Sequence, residues 1–341
     1  ALQLNLPLLI YQGLGGRHRY NSDRHHRFIL EAARDFAIEL ETLGLRLHFH
    51  LPKDPVGTGP LQSLLERSAA VVTELYPVPP FRQWYARHAA RNPNLPWLQV
   101  DASCILPMTR SEKAPTRAFQ FRRSYQDELF QRVAQGWPLR DEWPGAFTGD
   151  PGFEPFDPAS PLEDVIAACR IDHSIPAVGD TPGGSQAGYR RWKRYLENGL
   201  DRYHALRNDA ALPGGVSRLS AYLHYGCVSP FRVAADAAAR GGEGAEKFLD
   251  ELLVWRELSH HFCFHSEQLE SLEAIPGWAR ESLEEHSAEP RAETFDWETL
   301  ARGMTGQPLW DLAQRSLLRR GELHNNLRMT WGKAFLPWVQ R

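Results

Sequence analysis

Three tryptophans lie close together near the end of the chain, with polar residues between them. Trp331 and Trp338 are seven residues apart, so a helix would place both indoles on one face. Trp310 precedes them, and Asn325 and Arg328 lie in the same stretch. Large aromatic rings beside a few fixed polar groups are typical of a site for a flat, polar-edged cofactor. Closely spaced indoles can also pass electrons, so the pattern indicates redox or photochemistry, with a helix–helix core as the alternative.

A second candidate site is the segment PGGVSRLSAYLHYG at residues 213–226. A glycine pair leads into Ser217 and Ser220, and a helix is predicted to begin there. Free N–H groups at a helix start attract anions, and the two hydroxyls add donors. The segment could therefore hold a pyrophosphate. The alternative is that Ser217 only caps the helix, which is a common role for serine.

The third candidate is DELLVWRELSHHFCFH at residues 250–265. Glu251 and Trp255 are four residues apart, so they share one face of a helix, and Arg256 follows directly. A carboxylate beside an indole can bind the edge of a base while the ring stacks on its face. A solvated charged surface over a buried tryptophan is the alternative.

The same helix aligns Glu257, His261 and His265 at helical spacing, which could ligate a metal. The H-E-x-x-H pattern is absent, and such a weak pattern favours ordinary core or surface histidines. We therefore predict no metal site.

The elements that must position these residues differ between the two halves of the chain. The first hundred residues alternate between apolar runs and helical periods, with short links, which predicts a parallel α/β sheet covered on both faces. The predicted strands are 6–14, 45–51, 69–75 and 97–106, and the predicted helices are 23–43, 62–67 and 81–90.

From residue 188 onward the pattern is helical. The best helix candidates are 189–207, 217–226, 229–240, 246–265, 308–320 and 322–338. Between the two halves, residues 111–180 are rich in Pro, Gly, Asp and isolated aromatics, which predicts a long connector on the surface of the second domain. The expected domains are thus 1–110 (α/β), 111–180 (connector) and 181–341 (all-helical).

The composition is that of a globular protein large enough for two cores, with 341 residues, 42% of them hydrophobic. The net charge of -3 gives no overall basic field toward nucleic acid, although a local patch can still form. The four cysteines form no C-x-x-C pair, which argues against a zinc or iron–sulfur site and for reduced thiols in the cytoplasm. No apolar run of about 18 residues predicts a membrane span, and no leader opens the chain.

Long ordered segments of the chain resemble the photolyase/cryptochrome family. Residues 203–230 resemble its flavin-phosphate segment, 248–263 its lesion-facing helix and 305–329 its flavin-lining helices, while 5–14 and 100–107 match the α/β half more loosely. The branch most similar to this chain is the class II cyclobutane pyrimidine dimer photolyases, through RND after Tyr203, the WREL run into HHFC, and RMTWGKAFLPW at 328–338. The placing of the three tryptophans also matches that branch.

The resemblance implies an FAD site and a lesion site in the helical half. Contacts to FAD would come from Tyr203, Ser217, Leu219, Ser220, Arg256, Asn325 and Arg328. The first four would lie at the phosphates, and Asn325 and Arg328 would flank the isoalloxazine, although the class II pattern often has Gly where Asn325 stands. The lesion would be faced by Glu251, Trp255 and Met329. Trp310, Trp331 and Trp338 would relay electrons to oxidised FAD, in an order that the sequence does not set.

The implied activity is light-driven DNA repair, in which reduced FAD gives one electron to a flipped-out pyrimidine dimer. Arg218, Arg232 and Arg302 are candidates for phosphate contacts on UV-damaged DNA. We expect a cytoplasmic monomer without membrane association. The resemblance allows a second, antenna chromophore, which no motif identifies. The alternatives are a cryptochrome-like light receptor without repair, a degenerate flavoprotein, and the metal–histidine site.

Family members usually begin with one more strand and continue past the helix near Trp338 into an Asp/Asn loop that faces the flavin. We therefore expect the first strand and the C-terminal part of the fold to be missing from this chain, as a fragment or as a shortened lineage. Loss of that loop would affect the redox tuning of the flavin and part of the lesion pocket.

Overall fold

The computed structural model describes residues 1–15, 18, 20–52, 59–137 and 142–339. Its first part contains four short strands, β1 Ile10–Gly13, β2 Leu47–His50, β3 Val71–Glu74 and β4 Trp97–Val100. β1 runs parallel to β2, and β3 runs parallel to β4. The predicted parallel α/β arrangement is confirmed. In the described part of the chain, however, the strands form two separate pairs and not one continuous sheet.

Helices connect these strands, as parallel pairing requires. They are α1 Asp23–Thr42, α2 Leu61–Glu66 and α3 Phe81–Arg91. α1 is amphipathic and buries Leu30 and Ala33 against Phe49 of β2. Phe28 and Leu40 on the same helix are buried as well, whereas Phe36 is exposed.

The connector at 111–180 departs from its prediction. It contains α4 Ala118–Gln135, an 18-residue helix, and α5 Leu162–Ala167. Phe121, Leu129 and Val133 of α4 belong to the main hydrophobic core, and Leu162 of α5 belongs to the smaller core beneath α1. The expectation of a purely superficial connector is wrong for these helices. The domain boundaries at 110 and 180 remain a prediction.

The second half is helical, as expected. Its helices are α6 Ser185–Asn198, α7 Tyr203–Leu206, α8 Ser220–His224, α9 Pro230–Arg240, α10 Gly242–Leu249, α11 Glu257–His265, α12 Gly277–Glu285, α13 Trp297–Arg302, α14 Pro308–Arg320, α15 Asn325–Lys333 and α16 Phe335–Trp338. The main core lies among the earlier ones, where Trp192 stacks on Phe248 and Tyr222 is fully buried.

A π-helical segment, Asp250–Arg256, joins α10 to α11 without a break. The predicted helix 246–265 is thus longer, and its middle has the wider i→i+5 winding. π segments inside α-helices are frequent at functional sites. Glu251 and Trp255 both lie within this one.

The last predicted helix, 322–338, is interrupted. α15 ends at Lys333 and α16 begins at Phe335. Pro337 explains the break, because proline has no N–H to donate and its ring clashes with the carbonyl four residues earlier, at Lys333. Among the described residues, no helix is both long and apolar enough to cross a membrane.

Candidate functional site

The three tryptophans form one aromatic cluster around Trp310, whose side chain is only 8% exposed. Its ring stacks on Trp331 with centroids 6.1 Å apart and an interplanar angle of 8°, and it meets Trp338 edge-on at 5.4 Å. The bend at Ala334 brings Phe335 against both Trp310 and Trp331. Trp310, from α14, therefore separates the two indoles that we expected to share a helix face.

Hydrogen bonds fix two of these indoles. Trp310 Nε1 donates to the backbone carbonyl of Trp331 over 3.1 Å. Trp331 Nε1 donates to the side-chain Oε1 of Gln314 over 3.0 Å, and Gln314 is itself buried on α14. The cluster is thus held by α14, α15 and α16 together.

The predicted flavin-phosphate residues lie where the chain enters α8. Leu219 and Tyr203 are buried in the main core, Ser217 is half-buried, and Ser220 is exposed. The N-cap residue of α8 is Leu219, so the alternative role of Ser217 as the helix cap is wrong. Neither serine hydroxyl has a protein hydrogen-bond partner in the described part of the chain, so both remain available to a ligand. α8 is also shorter than the predicted helix 217–226, which moves its start to Ser220.

Arg218, between these serines, has a backbone φ of 54°, in the left-handed region that residues other than glycine rarely adopt. Its guanidinium pairs with Asp180 and Glu322. These contacts raise the pKa of Arg218 and lower the pKa of Asp180 to about 2, through the hydrogen bond from Arg218. Because both carboxylates already engage Arg218, the structure disfavours it as a DNA-phosphate contact.

Glu251 is held from one side by two cations. Its Oε1 lies 2.9 Å from a terminal nitrogen of Arg207 and 2.8 Å from Nζ of Lys247. Lys247 also pairs with Asp250, which in turn binds Arg122 of α4. The shortest contact of each cation with Glu251 is to Oε1, so the two cations together orient the carboxylate of Glu251.

The other two predicted lesion residues are open to solvent. Trp255 is 50% exposed and Met329 is 55% exposed. Trp255 lies on the same π segment as Glu251, while Met329 lies on α15. An exposed indole and an exposed thioether suit contact with an external apolar ring, so the alternative of a buried Trp255 beneath charged residues is wrong.

The predicted isoalloxazine contacts are also exposed. Arg328 donates to the side chain of Asn325 over 2.7 Å, one turn earlier on α15. Arg256 points elsewhere, donating to the carbonyl of Ser103 in the loop after β4. The structure thus groups Asn325, Arg328 and Met329 on α15 and places Arg256 at the junction with the α/β half.

The spacing of Glu257 and His261, which suggested a possible metal site, is explained by structural contacts. Glu257 is 1% exposed, and its two oxygens accept the backbone N–H groups of Ile105 and Leu106 over 2.7 and 3.0 Å. His261 is buried, with Nδ1 2.7 Å from Ser111 Oγ and Nε2 3.0 Å from the Leu106 carbonyl. Cys104 lies within the same group. Because Glu257 and His261 already bind protein groups, this cluster joins the loop after β4 to α11, and the absence of a metal site stays a prediction.

Three residues of the candidate site, Arg207, Lys247 and Gln314, were not predicted from the sequence. Arg207 is four residues after Tyr203 and lies over its ring at 5.6 Å, while Lys247 is four residues before Glu251. Both spacings fit one helical turn, which could have drawn attention to these residues. Gln314 had no such signal, because its partner Trp331 belongs to another helix.

A polar cofactor fits the region between α7 and α15. Asn326 donates to the Asn208 carbonyl over 2.6 Å, which joins the two segments. Arg207 Nε and His324 Nε2 lie nearby in sequence, on either side of this bond, and both are buried without a hydrogen-bond partner. Buried unpaired nitrogens are rare in proteins. A bound ligand with oxygen acceptors, such as FAD, would satisfy them.

Comparison with known proteins identifies the family. A sequence model described as the FAD binding domain of DNA photolyase matches residues 248–336. The deoxyribodipyrimidine photo-lyase of Methanothermobacter thermautotrophicus is 30% identical over 341 residues, covering 99% of this chain and 73% of that protein. The chain belongs to the deoxyribodipyrimidine photo-lyase family. The predictions of a photolyase-family enzyme and of FAD as its cofactor are thereby confirmed.

Solved structures confirm the photolyase-like fold. A bacterial class III photolyase from Agrobacterium tumefaciens superposes with a TM-score of 0.68 at 19% identity, covering 99% of this chain and 69% of that one. A cryptochrome from Synechocystis superposes with a TM-score of 0.68 at 17% identity, covering 98% and 70%. The assignment to the class II branch of photolyases is not tested by these likenesses and stays a prediction.

Proposed function

We propose that this photolyase-family chain repairs cyclobutane pyrimidine dimers in UV-damaged DNA by light-driven electron transfer, and that it belongs to the class II branch. The observation that carries the proposal is the arrangement on the π segment. There, the carboxylate of Glu251 is oriented by Arg207 and Lys247, and an exposed Trp255 lies four residues away. A signalling flavoprotein has no need for such an arrangement.

Bound in its reduced form, FAD supplies the excited electron that splits the dimer. The chain supplies position and electrostatics. Trp255 and Met329 offer apolar surface for the extruded lesion, because a damaged pair costs less to unstack than an intact one. The carboxylate of Glu251 hydrogen-bonds the lesion, while Arg207 and Lys247 hold it in place.

Contacts to FAD come from the residues that border the α7–α15 region. Ser217 and Ser220 donate their free hydroxyls to the phosphates, with Tyr203 and Leu219 as the apolar floor. Arg328 places a positive charge beside the isoalloxazine, and Asn325 fixes the guanidinium of Arg328. Arg256 lies at the junction of the two halves, where it donates to the Ser103 carbonyl.

The indole cluster serves to reduce oxidised FAD. α15 carries both Arg328 and Trp331, one helical turn apart, so Trp331 is the indole nearest the proposed flavin contacts. Trp310 stacks on Trp331, and Trp338 contacts Trp310. The proposed order is therefore Trp331, Trp310, Trp338.

Damaged DNA is the proposed partner, bound by a monomer in the cytoplasm. Arg232 and Arg302 are the proposed phosphate contacts, although each already has a protein partner. Arg232 lies over the Tyr189 ring at 4.3 Å, and Arg302 pairs with Glu298 at the surface. Exposed pairs of this kind are weak, so phosphate can compete for the arginine.

The proposal is tested by illuminating the flavin-loaded, pre-reduced protein with three oligonucleotides, which carry a cyclobutane dimer, a (6-4) product or no lesion. We expect light-dependent loss of the dimer alone. Loss of the (6-4) product instead would overturn the lesion assignment, and binding of flavin without any repair would overturn the enzymatic function.

A cryptochrome-like light receptor is the second candidate, favoured by the fold likeness to the Synechocystis cryptochrome. It would use the same flavin and the same indoles without repair. The illumination experiment separates the two, because a receptor would photoreduce its flavin and leave every oligonucleotide unchanged.

A further inference from the structure

The side chain of Gln314 has a fixed orientation beside Trp331, at the edge of the indole cluster. It is 8% exposed, its Nε2 donates to the Ala301 carbonyl over 2.7 Å, and its Oε1 accepts from Trp331 Nε1 over 3.0 Å. The amide oxygen and nitrogen of glutamine are told apart by their partners. A carbonyl can only accept and an indole N–H can only donate, so both contacts fix the same orientation.

The backbone near Gln314 brings the Ala301 carbonyl within hydrogen-bonding distance of the Gln314 amide. α13 ends at Arg302 and is followed by Gly303, whose φ of 64° lies in the left-handed region. A Cβ at Gly303 would lie 2.9 Å from the Asp311 carbonyl oxygen and 3.1 Å from Gln314 Cβ. Only glycine allows α13 and α14 to approach this closely, and the approach places the Ala301 carbonyl beside the amide of Gln314.

Neither protein acceptor in the cluster can take up the proton of an oxidised indole. Loss of one electron makes an indole N–H strongly acidic. The amide oxygen of Gln314 and the backbone carbonyl that faces Trp310 are hydrogen-bond acceptors but very weak bases. Trp338 is half-buried, and its N–H has no protein acceptor in the described part of the chain. Among the three indoles, Trp338 is therefore the one whose N–H is left to water, because the N–H groups of Trp310 and Trp331 each donate to a protein acceptor.

We propose that Gln314 is a positioning residue that keeps Trp331 protonated while it is oxidised, so that the hole moves on to Trp338. This inference rests on the proposed function. Trp331 gives one electron to the light-excited, oxidised flavin and is refilled through Trp310 by one electron from Trp338. Trp338 then releases its N–H proton to water and stays as a neutral radical until an external reductant returns an electron.

The test replaces the amide with a group that titrates. In Gln314→Glu, the protonated acid can still donate to the Ala301 carbonyl and accept from Trp331. Above the pKa of that carboxyl, the ionised form becomes a base that faces the indole N–H. Transient absorption after a light pulse distinguishes protonated from neutral tryptophan radicals, and it is measured on the flavin-loaded chain across the pH range.

The charged residues around this position have other partners or face solvent. Asp311 is bound by Thr305 and Gly306, Arg315 donates to the Gly303 carbonyl, Glu298 pairs with Arg302, Arg328 binds Asn325, and Lys333 is exposed. The new carboxyl is therefore the group expected to give the variant its pH dependence.

At low pH, we expect Gln314→Glu to form the same protonated radical as the native chain. At high pH, we expect a neutral radical trapped at Trp331, a several-fold lower yield of the Trp338 radical, and a solvent deuterium effect that the native chain lacks at this step. Gln120→Glu, on the exposed face of α4, is the matched control and should behave as the native chain at every pH.

A second variant covers the case in which the glutamate variant does not bind flavin. Gln314→Met keeps the length of the side chain and loses both hydrogen bonds, and we expect a several-fold lower yield of the Trp338 radical. A pH-independent Gln314→Glu, or an unchanged yield in Gln314→Met, would overturn the role of Gln314. A native chain that binds flavin but forms no tryptophan radical would overturn the proposed relay instead.

Discussion

At the scale of single residues, the proposed lesion site depends on a carboxylate that two cations hold in place. Arg207 and Lys247 both contact Oε1 of Glu251. The sequence predicted the pairing of Glu251 with Trp255 from their spacing. It could not predict the contact of Arg207 with Glu251, because these residues lie 44 positions apart and meet only through the packing of α7 against α10.

Glu251→Gln should weaken repair several-fold while flavin stays bound. The amide loses the charge that engages Arg207 and Lys247, so the group that meets the lesion is no longer oriented. Repair yield per photon is measured on pre-reduced protein, with the flavin spectrum as the check on binding. Glu246→Gln, an exposed change one turn earlier on α10, is the control, and equal repair by both variants would remove Glu251 from the mechanism.

Trp331→Phe should abolish photoreduction of oxidised flavin and spare repair by pre-reduced protein. Phenylalanine keeps an aromatic ring in the cluster, but it is much harder to oxidise than an indole and gives no hydrogen bond to Gln314. Steady-state flavin spectra under light measure the first effect. Trp278→Phe, at a 75% exposed position, should photoreduce normally; normal photoreduction in Trp331→Phe as well would show that the relay is misassigned.

At the scale of elements, the hydrophobic periods predicted all four strands, although β4 ends at Val100 and not at 106, and they missed α12 and α13. They failed where one local feature outweighed the pattern. Pro337 breaks the last helix, and this bend creates the contacts of Phe335 with Trp310 and Trp331. α4 was read as part of a connector because its surroundings are rich in Pro and Gly, although Phe121 and Leu129 on it are fully buried.

Gly303→Ala should lower the free energy of unfolding by about 1–3 kcal/mol, the scale for a residue other than glycine held in the left-handed region. The added methyl group would also meet the Asp311 carbonyl at 2.9 Å. Denaturant unfolding measures the loss. Gly277→Ala is the control, because a Cβ there meets nothing within 4 Å, and equal stability of the two variants would refute the close approach of α13 to α14.

At the scale of the whole molecule, buried polar groups join the two halves. Glu257 on α11 accepts two N–H groups of the loop after β4, and Arg24 on α1 donates to the carbonyls of Leu317 and Leu318 at the end of α14. The sequence showed that Glu257 and His261 lie at helical spacing, but this spacing suggested metal ligands and not a junction between the two halves. Their partners lie about 150 residues away, so only the folded chain reveals the junction.

The junction gives a pH dependence of stability with a definite sign. Burial raises the pKa of Glu257 from 4.5 to about 8, against the opposing effect of its hydrogen bonds from Ile105 and Leu106. The folded chain therefore holds this proton more tightly than the unfolded chain, and the contribution of Glu257 to stability falls as the pH rises through that interval. His261 acts oppositely, because burial lowers its pKa and favours the neutral form at higher pH.

The variant Glu257→Gln separates the pH dependence of stability that is due to the Glu257 carboxyl from that due to His261. We expect it to cost about 1–3 kcal/mol at low pH, because its amide leaves one backbone N–H without an acceptor. The difference from the native chain should shrink as the pH rises from about 5 to about 8. Thermal unfolding across this range measures it, with the exposed Glu281→Gln as control. A difference that stays constant or grows would contradict the raised pKa.

The most direct measurement of the central claim is the loss of cyclobutane dimers from an oligonucleotide bound to the pre-reduced, flavin-loaded protein, compared between light and darkness. The proposed function predicts that dimers disappear in light in proportion to absorbed photons and persist in darkness. Dimers that persist equally under both conditions, in a protein that holds its flavin and binds the oligonucleotide, would contradict it.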